Sequence, residues 1–140
     1  MAFRKKADRL LDLNPDVAVI LESESDQKID FSKHSKEPFS KLWYGDNPNK
    51  GVLIASYNPS YKISLHPKFN PEFRYVLPIV IEDNSERFVI LAVWTQKTES
   101  IYTSYVVQAC RAIEYYKELL SEKSIVLGDF NSNKIWDNGD

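Results

Sequence analysis

Apolar and polar positions along this chain form blocks that predict several strands and two helices. Residues 2–13 carry an apolar face at helical spacing, and Asn14-Pro15 ends that helix because proline disfavours helical geometry in the preceding residue. A longer apolar stripe predicts a second helix over residues 101–121. Short apolar or alternating runs predict strands at 16–21, 29–31, 51–56, 61–65, 73–81, 88–94 and 124–127. This order favours an α+β fold, with a mixed, mainly antiparallel sheet and helices packed outside it.

Composition limits the class of protein. The 140 residues are 43% hydrophobic with a formal net charge of −2, which suits a single domain spanning 1–140. That charge gives no general basic field, but it does not exclude a local basic groove that binds nucleic acid. The one cysteine, Cys110, excludes a disulfide framework, and its place in the second helix predicts a buried apolar role.

The N-terminal charges have no apolar signal core behind them, so the sequence predicts no export signal. The longest apolar run, 17–21, is far too short to span a membrane. We therefore expect a cytoplasmic protein with no membrane insertion.

Polar side chains follow two of the apolar runs at the point where each predicted strand ends. Gly-Asp-Phe-Asn at 128–131 follows the run 124–127, which we expect to be a buried strand. Positions i and i+2 of an extended segment point the same way, so Asp129 and Asn131 can converge on one ligand. Glu22 ends the other apolar strand. Three oxygen ligands could thus meet, and Mg²⁺ prefers oxygen ligands. The alternative is an ordinary turn, since Gly, Asp and Asn are common turn residues.

Both motifs together resemble the endonuclease/exonuclease/phosphatase superfamily, which includes DNase I and the exonuclease III-type endonucleases. The resemblance rests on Pro-Asp-Val-Ala-Val-Ile-Leu-Glu at 15–22, Lys-Gly-Val-Leu-Ile-Ala-Ser at 50–56 and Gly-Asp-Phe-Asn at 128–131, in the family's order. It implies part of a DNase I-like four-layer αββα sandwich. It also implies a Mg-dependent phosphodiesterase or endonuclease.

The resemblance assigns roles to three residues. Glu22 would bind the catalytic Mg²⁺ (or Mn²⁺), Asp129 would orient or activate the attacking water, and Asn131 would help hold that water or the transition-state phosphate. Such a metal neutralises developing phosphoryl charge, while positioned polar groups hold the water in line. The implied partner is a phosphodiester substrate, with nucleic acid as the first choice.

Departures from the family pattern predict a domain that is incomplete at both ends. An earlier strand with its Asn precedes the first helix in the family, and an Asp-His pair follows near the C-terminus; neither has a counterpart here. The rival hypothesis is therefore a catalytically inactive remnant that acts as a binding or self-association module. Its exposed sheet edges predict a homodimer.

The remaining polar candidates are weaker. Glu24 lies two residues after Glu22, and we expect it to be a solvated loop carboxylate. His34 lies in a polar loop and is expected at the surface, while His66 precedes a proline at a strand end. The tryptophans, among them Trp94 and Trp136, suit base stacking but are more often packing residues.

Overall fold

The computed structural model describes residues 3–100, 104–121 and 123–132, and its strands form two sheets. The strands are Val17–Ser23 (β1), Ser40–Asn47 (β2), Lys50–Ser56 (β3), Lys62–Leu65 (β4), Val76–Glu82 (β5), Arg87–Trp94 (β6) and Ser124–Asp129 (β7). The α-helices are Ala7–Leu11 (α1) and Tyr105–Tyr115 (α2). Short 3-10 helices lie at Phe3–Lys5, Asp26–Lys28, Phe31–Lys33, Pro71–Phe73 and Lys117–Ser121.

The two sheets differ in strand direction. The first has the order β1-β3-β2 and is antiparallel throughout. The second has the order β4-β5-β6-β7, in which only the β6–β7 pair is parallel because the chain crosses back through α2. The expected hairpin between β5 and β6 is confirmed. Its turn is closed by Asp83, which accepts the N–H groups of Ser85 and Glu86 and whose pKa those bonds lower.

The faces of the sheets explain why several strands are apolar throughout. On β3, Val52 and Ile54 pack against the second sheet, whereas Leu53 and Ala55 pack outward against clusters that contain Phe3 and Leu11. A strand covered on both faces is apolar over nearly its whole length. The run at 51–56 was therefore a reliable strand signal.

The second sheet is covered on its outer face by α2. Ala109, Ala112 and Tyr116 pack there against β5 and β6. The described residues thus form four layers: α1 with the early 3-10 helices, the first sheet, the second sheet, and α2. The α+β sandwich class expected from the sequence is confirmed.

Some local predictions are wrong. Residues 29–31 form no strand, because Ile29 and Phe31 serve as separate apolar anchors of the α1 layer. The strand at 124–127 forms but is not buried: Ile125 is 48% exposed and Val126 40%, since β7 pairs with β6 alone among the described residues. Cys110 is exposed, because α2 turns Ala109 and Ala112 inward instead.

The helical predictions are shorter in the structure than in the sequence. The first is broken into a 3-10 helix and α1, and residues 101–103 of the second lie outside the described part of the chain. Among the described residues, no helix has the length and apolar character needed to cross a membrane.

Candidate active site

The strand register brings several polar strand ends to one end of the sandwich, which we call the polar end. In the first sheet, Ser23 pairs with Gly51, so the end of β1 lies beside the start of β3. In the second sheet, Trp94 pairs with Asp129, so β6 and β7 end together. Glu22 and Asp129 lie at these two strand ends.

Lys50 connects the two halves of the polar end. Its Nζ lies 3.3 Å from Oε1 of Glu22 and 5.2 Å from the centre of the Trp94 ring. An ammonium over an indole face is attracted by the ring's quadrupole. Because Trp94 is the register partner of Asp129, one side chain links Glu22 to the strand pair that carries Asp129 and Asn131.

Glu22 occupies a β-bulge. The register between β1 and β3 shifts between Leu21 and Ser23, and Glu22 has a φ of 56°, in the left-handed region. A bulge adds one residue to a strand and re-aims its side chain, and bulges are common beside active sites. The side chain of Glu22 is 49% exposed, so its carboxylate is available to a ligand.

The segment Gly-Asp-Phe-Asn is fixed by hydrogen bonds to the end of β6. The backbone N–H of Thr95 donates to the carbonyl of Asp129 at 3.0 Å, and Thr95 Oγ1 donates to the carbonyl of Phe130 at 2.5 Å. The side-chain amide of Asn131 donates to the carbonyl of Thr95 at 2.8 Å. Thr95 is fully buried, and no pattern in the sequence indicated its role.

Asp129 and Asn131 are close together, but not for the reason expected. Asn131 has a φ of 45°, so the segment is not extended there. Instead its N–H donates to Oδ1 of Asp129 at 2.9 Å, which is an Asx-turn. The turn alternative is therefore confirmed for this segment, and the convergence of Asp129 and Asn131 on one ligand stays a prediction.

Gly128 is required for this arrangement. Its φ is 144°, and a Cβ at that position would lie 1.8 Å from the carbonyl oxygen of Val93. Only glycine allows the backbone of β7 to approach β6 so closely just before Asp129.

A second polar cluster at the polar end was not predicted. Oδ2 of Asp46 accepts the hydroxyl of Tyr75 at 3.3 Å and lies 3.1 Å from Nη1 of Arg74. Tyr75 has a φ of 67°, and its ring packs 4.9 Å from that of Trp94. Burial, then the Asp46 charge, raises the pKa of neighbouring Tyr44 above its usual value. These residues meet only through long-range packing, so no local pattern marked them.

The expectations that Glu24 and His34 lie at the surface are wrong, and Trp136 cannot be assessed. Glu24 is buried, and its side chain is 8% exposed, because it accepts the backbone N–H of Phe3 at 3.0 Å. The side chain of His34 is only 9% exposed. Trp94 is a buried packing residue, while Trp136 lies outside the described residues.

Glu22 is the candidate metal ligand at the polar end. Among the described residues, no three His, Cys, Asp or Glu side chains lie close enough together to hold an ion by themselves. Mg²⁺, however, is commonly held by one or two carboxylates together with substrate phosphates. The exposed carboxylate of Glu22 is an oxygen donor of that kind, at present paired with Lys50. The donor chemistry therefore fits.

Comparison with known proteins gives information about the fold. No family model matches the chain, and no curated protein matches it significantly. Solved structures do match it. One is the endonuclease domain of TRAS1, a telomere-specific non-LTR retrotransposon, with a TM-score of 0.59 and 13% identity over 95% of this chain. Another is a functionally unknown conserved protein from Enterococcus faecalis V583, with a TM-score of 0.61 and 16% identity over 94%.

These likenesses define the architecture that the chain shares. Nearly all of this chain superposes on the endonuclease domain of TRAS1, which agrees with the four αββα layers of the fold. The chain spans 56% and 59% of the lengths of the two structures. At such low identity the likeness shows the fold alone.

Proposed function

We propose that this chain is a metal-dependent phosphodiester hydrolase of the nuclease type, using Mg²⁺ or Mn²⁺. The observation that carries the proposal is the bulge at Glu22, which lies at the same end of the sandwich as Asp129 and Asn131. Strained backbone of this kind costs about 1–3 kcal/mol and is found preferentially at functional sites.

In this proposal Glu22 holds the ion. When bound, the ion would neutralise charge that develops on the phosphoryl oxygens. Lys50 balances the charge of Glu22 in the absence of metal and stays close enough to attract a phosphate afterwards.

Asp129 and Asn131 position the attacking water. The Asx-turn holds the Asp129 carboxylate, and the bond to Thr95 fixes the amide of Asn131. The water oxygen forms a bond to phosphorus while one of its protons passes to Asp129. The bond from phosphorus to the leaving oxygen breaks, and its electron pair stays on that oxygen, which takes up a proton from solvent. Groups held in place before the reaction need no reorganisation during it.

Nucleic acid is the proposed substrate class. One structural neighbour is an endonuclease domain, and the two chains share their layers. This support comes from fold likeness, so the direct test is chemical.

The test combines metal binding with hydrolysis. Mn²⁺ should broaden amide NMR signals near Glu22 and Asp129 selectively in the unmodified chain, and Glu22→Gln should abolish the effect. With Mg²⁺ or Mn²⁺, the chain should cleave bis(p-nitrophenyl) phosphate and a short oligonucleotide. Glu82→Gln is the matched control, because Glu82 is exposed at the end of β5 opposite the polar end. No site-specific broadening and no cleavage would refute the proposal.

A second candidate is a self-association module, which the open edge of β7 favours. The exposed side chains of Ile125 and Val126 lie on a strand that pairs on one side only among the described residues. Light scattering should then give a dimer that Val126→Lys converts to monomer. A monodisperse monomer from the unmodified chain removes this candidate.

A further inference from the structure

A buried carboxylate ties the N-terminal turn to the polar end. Glu24 follows β1 directly, and its Oε2 accepts the N–H of Phe3 at 3.0 Å. Its Oε1 lies 3.7 Å from Nε of Arg4. The 3-10 helix Phe3–Lys5 is thereby held near the end of β1, two residues beyond Glu22.

This arrangement forms one wall of a basic cavity. The cavity has a volume of about 540 Å³, within the range of ligand sites in general. The charged side chains that line it, besides His34, are Arg4, Lys5, Lys28, Lys33, Asp8 and Asp30. Four cationic side chains line the cavity with two carboxylates; Lys33 pairs with Asp30 at 3.1 Å, and Arg4 pairs with Glu24 just outside the lining. The lining together with Glu24 is therefore positive by one charge with His34 neutral, in a chain whose net charge is −2.

Two hydrogen bonds connect the region of the cavity to the turn at 48–49, which immediately precedes Lys50. Nζ of Lys28 donates to Oδ1 of Asn49 at 2.6 Å, and the N–H of Ser25 donates to the carbonyl of Pro48 at 2.9 Å. Lys50 follows this turn and contacts Glu22. The turn at 48–49 therefore connects the cavity to Lys50, the ion-pair partner of Glu22.

His34 adds a buried polar group that the fold does not satisfy. Its side chain lines the cavity, and its Nδ1 makes no hydrogen bond among the described residues; Oδ1 of Asp8 lies 3.5 Å away and pairs with the ring only when His34 is protonated. Buried polar atoms are usually satisfied, so an exception points to a ligand or water.

We infer that this cavity is a second phosphate-binding subsite, which takes a flanking phosphate of a nucleic-acid strand whose scissile phosphate lies at Glu22. The inference rests on the proposed function and extends it to a substrate with at least two phosphates. Lysine and arginine side chains bind phosphate through charge-assisted hydrogen bonds, and each such bond releases counterions from the strand.

The test uses a fluorescent single-stranded oligonucleotide and the full chain in EDTA, where binding is measured without cleavage. Fluorescence anisotropy over a series of salt concentrations gives both affinity and its salt dependence. The double variant Lys5→Gln/Lys33→Gln should bind several-fold more weakly, and the salt slope should fall by about 0.7 for each phosphate that is no longer neutralised. Lys62→Gln is the control. Lys62 is exposed on β4 and pairs with Glu82, which lies at the end of β5 away from the polar end.

Two outcomes overturn the inference: no binding by the unmodified chain, or a double variant with the affinity and slope of the Lys62→Gln control. Hydrolysis of bis(p-nitrophenyl) phosphate separates this failure from failure of the proposed function. That substrate has a single phosphate, so the double variant should cleave it at the rate of the unmodified chain. If the unmodified chain cleaves neither this ester nor the oligonucleotide and shows no site-specific broadening by Mn²⁺, the proposed function fails, whatever the binding experiment gives.

Discussion

Replacement of Glu24 by alanine should destabilise the fold far more than replacement of Glu22, although both are glutamates of the same strand end. The Glu24 side chain is 8% exposed and accepts a backbone N–H, whereas that of Glu22 is 49% exposed and pairs with a lysine. A hydrogen bond to a charged group contributes about 1.5–3 kcal/mol, and a buried donor left without an acceptor costs about 1–3 kcal/mol.

These two effects overlap, because both describe the N–H of Phe3. Burial of the carboxylate itself costs free energy, which the alanine variant would recover in part. We therefore expect Glu24→Ala to lower the free energy of unfolding by about 1–3 kcal/mol. Glu22→Ala should lower it by less than about 1 kcal/mol, the value typical of exposed ion pairs.

The assay is urea unfolding followed by tryptophan fluorescence, since buried Trp94 reports on the sandwich. Glu24→Gln keeps an acceptor oxygen and should recover part of the loss. Equal destabilisation by Glu24→Ala and Glu22→Ala would refute the view that Glu24 anchors the N-terminal turn.

Three further predictions concern Gly128, metal binding beside Lys50, and the titration of Tyr57. Gly128→Ala should lower the free energy of unfolding by at least about 2 kcal/mol, because the alanine Cβ would overlap the Val93 carbonyl and the φ of this position is positive. A change under about 0.5 kcal/mol in urea unfolding contradicts this. Lys50→Met should tighten Mn²⁺ binding about fivefold by calorimetric titration, since it removes a competing cation worth about 1 kcal/mol beside Glu22; unchanged affinity argues against competition. Burial raises the pKa of Tyr57, so its contribution to stability is complete below pH about 10 and declines as pH rises further. Tyr57→Phe should lose less stability than the unmodified chain between about pH 9 and 11 in urea titrations, and an identical loss contradicts the assignment.

The parts of the fold that could be predicted are those written into local apolar pattern. The run at 51–56 predicted β3 because both faces of that strand are covered. The hairpin at 83–86 was visible because turn residues separate two β-rich runs. The placement of Glu22 and Asp129 at strand ends followed from the same periodicity, although their chemical roles remain predictions.

Features made by long-range packing were not predictable. The bulge at Glu22 depends on its register with β3, and the burial of Glu24 depends on a backbone group 21 positions earlier. His34 was expected at the surface because its sequence neighbours are polar, yet the α1 layer covers it. The hydrogen bond between Asp46 and Tyr75 joins two sheets, and no pattern within either segment encodes it.

The parallel pairing of β7 has a consequence for how the molecule assembles and opens. Asp129 pairs with Trp94, 35 positions earlier in the chain, and β7 can join the second sheet only after the chain has crossed back through α2. Pairing over such a separation forms more slowly than a hairpin, and a strand that pairs on one side only among the described residues is held weakly. We expect β7 to dock late in folding and to exchange its amide hydrogens before β5 and β6 do. Partial opening would then carry Asp129 and Asn131 away from the polar end while Glu22 stays in place, so the proposed site would come apart well before the core unfolds.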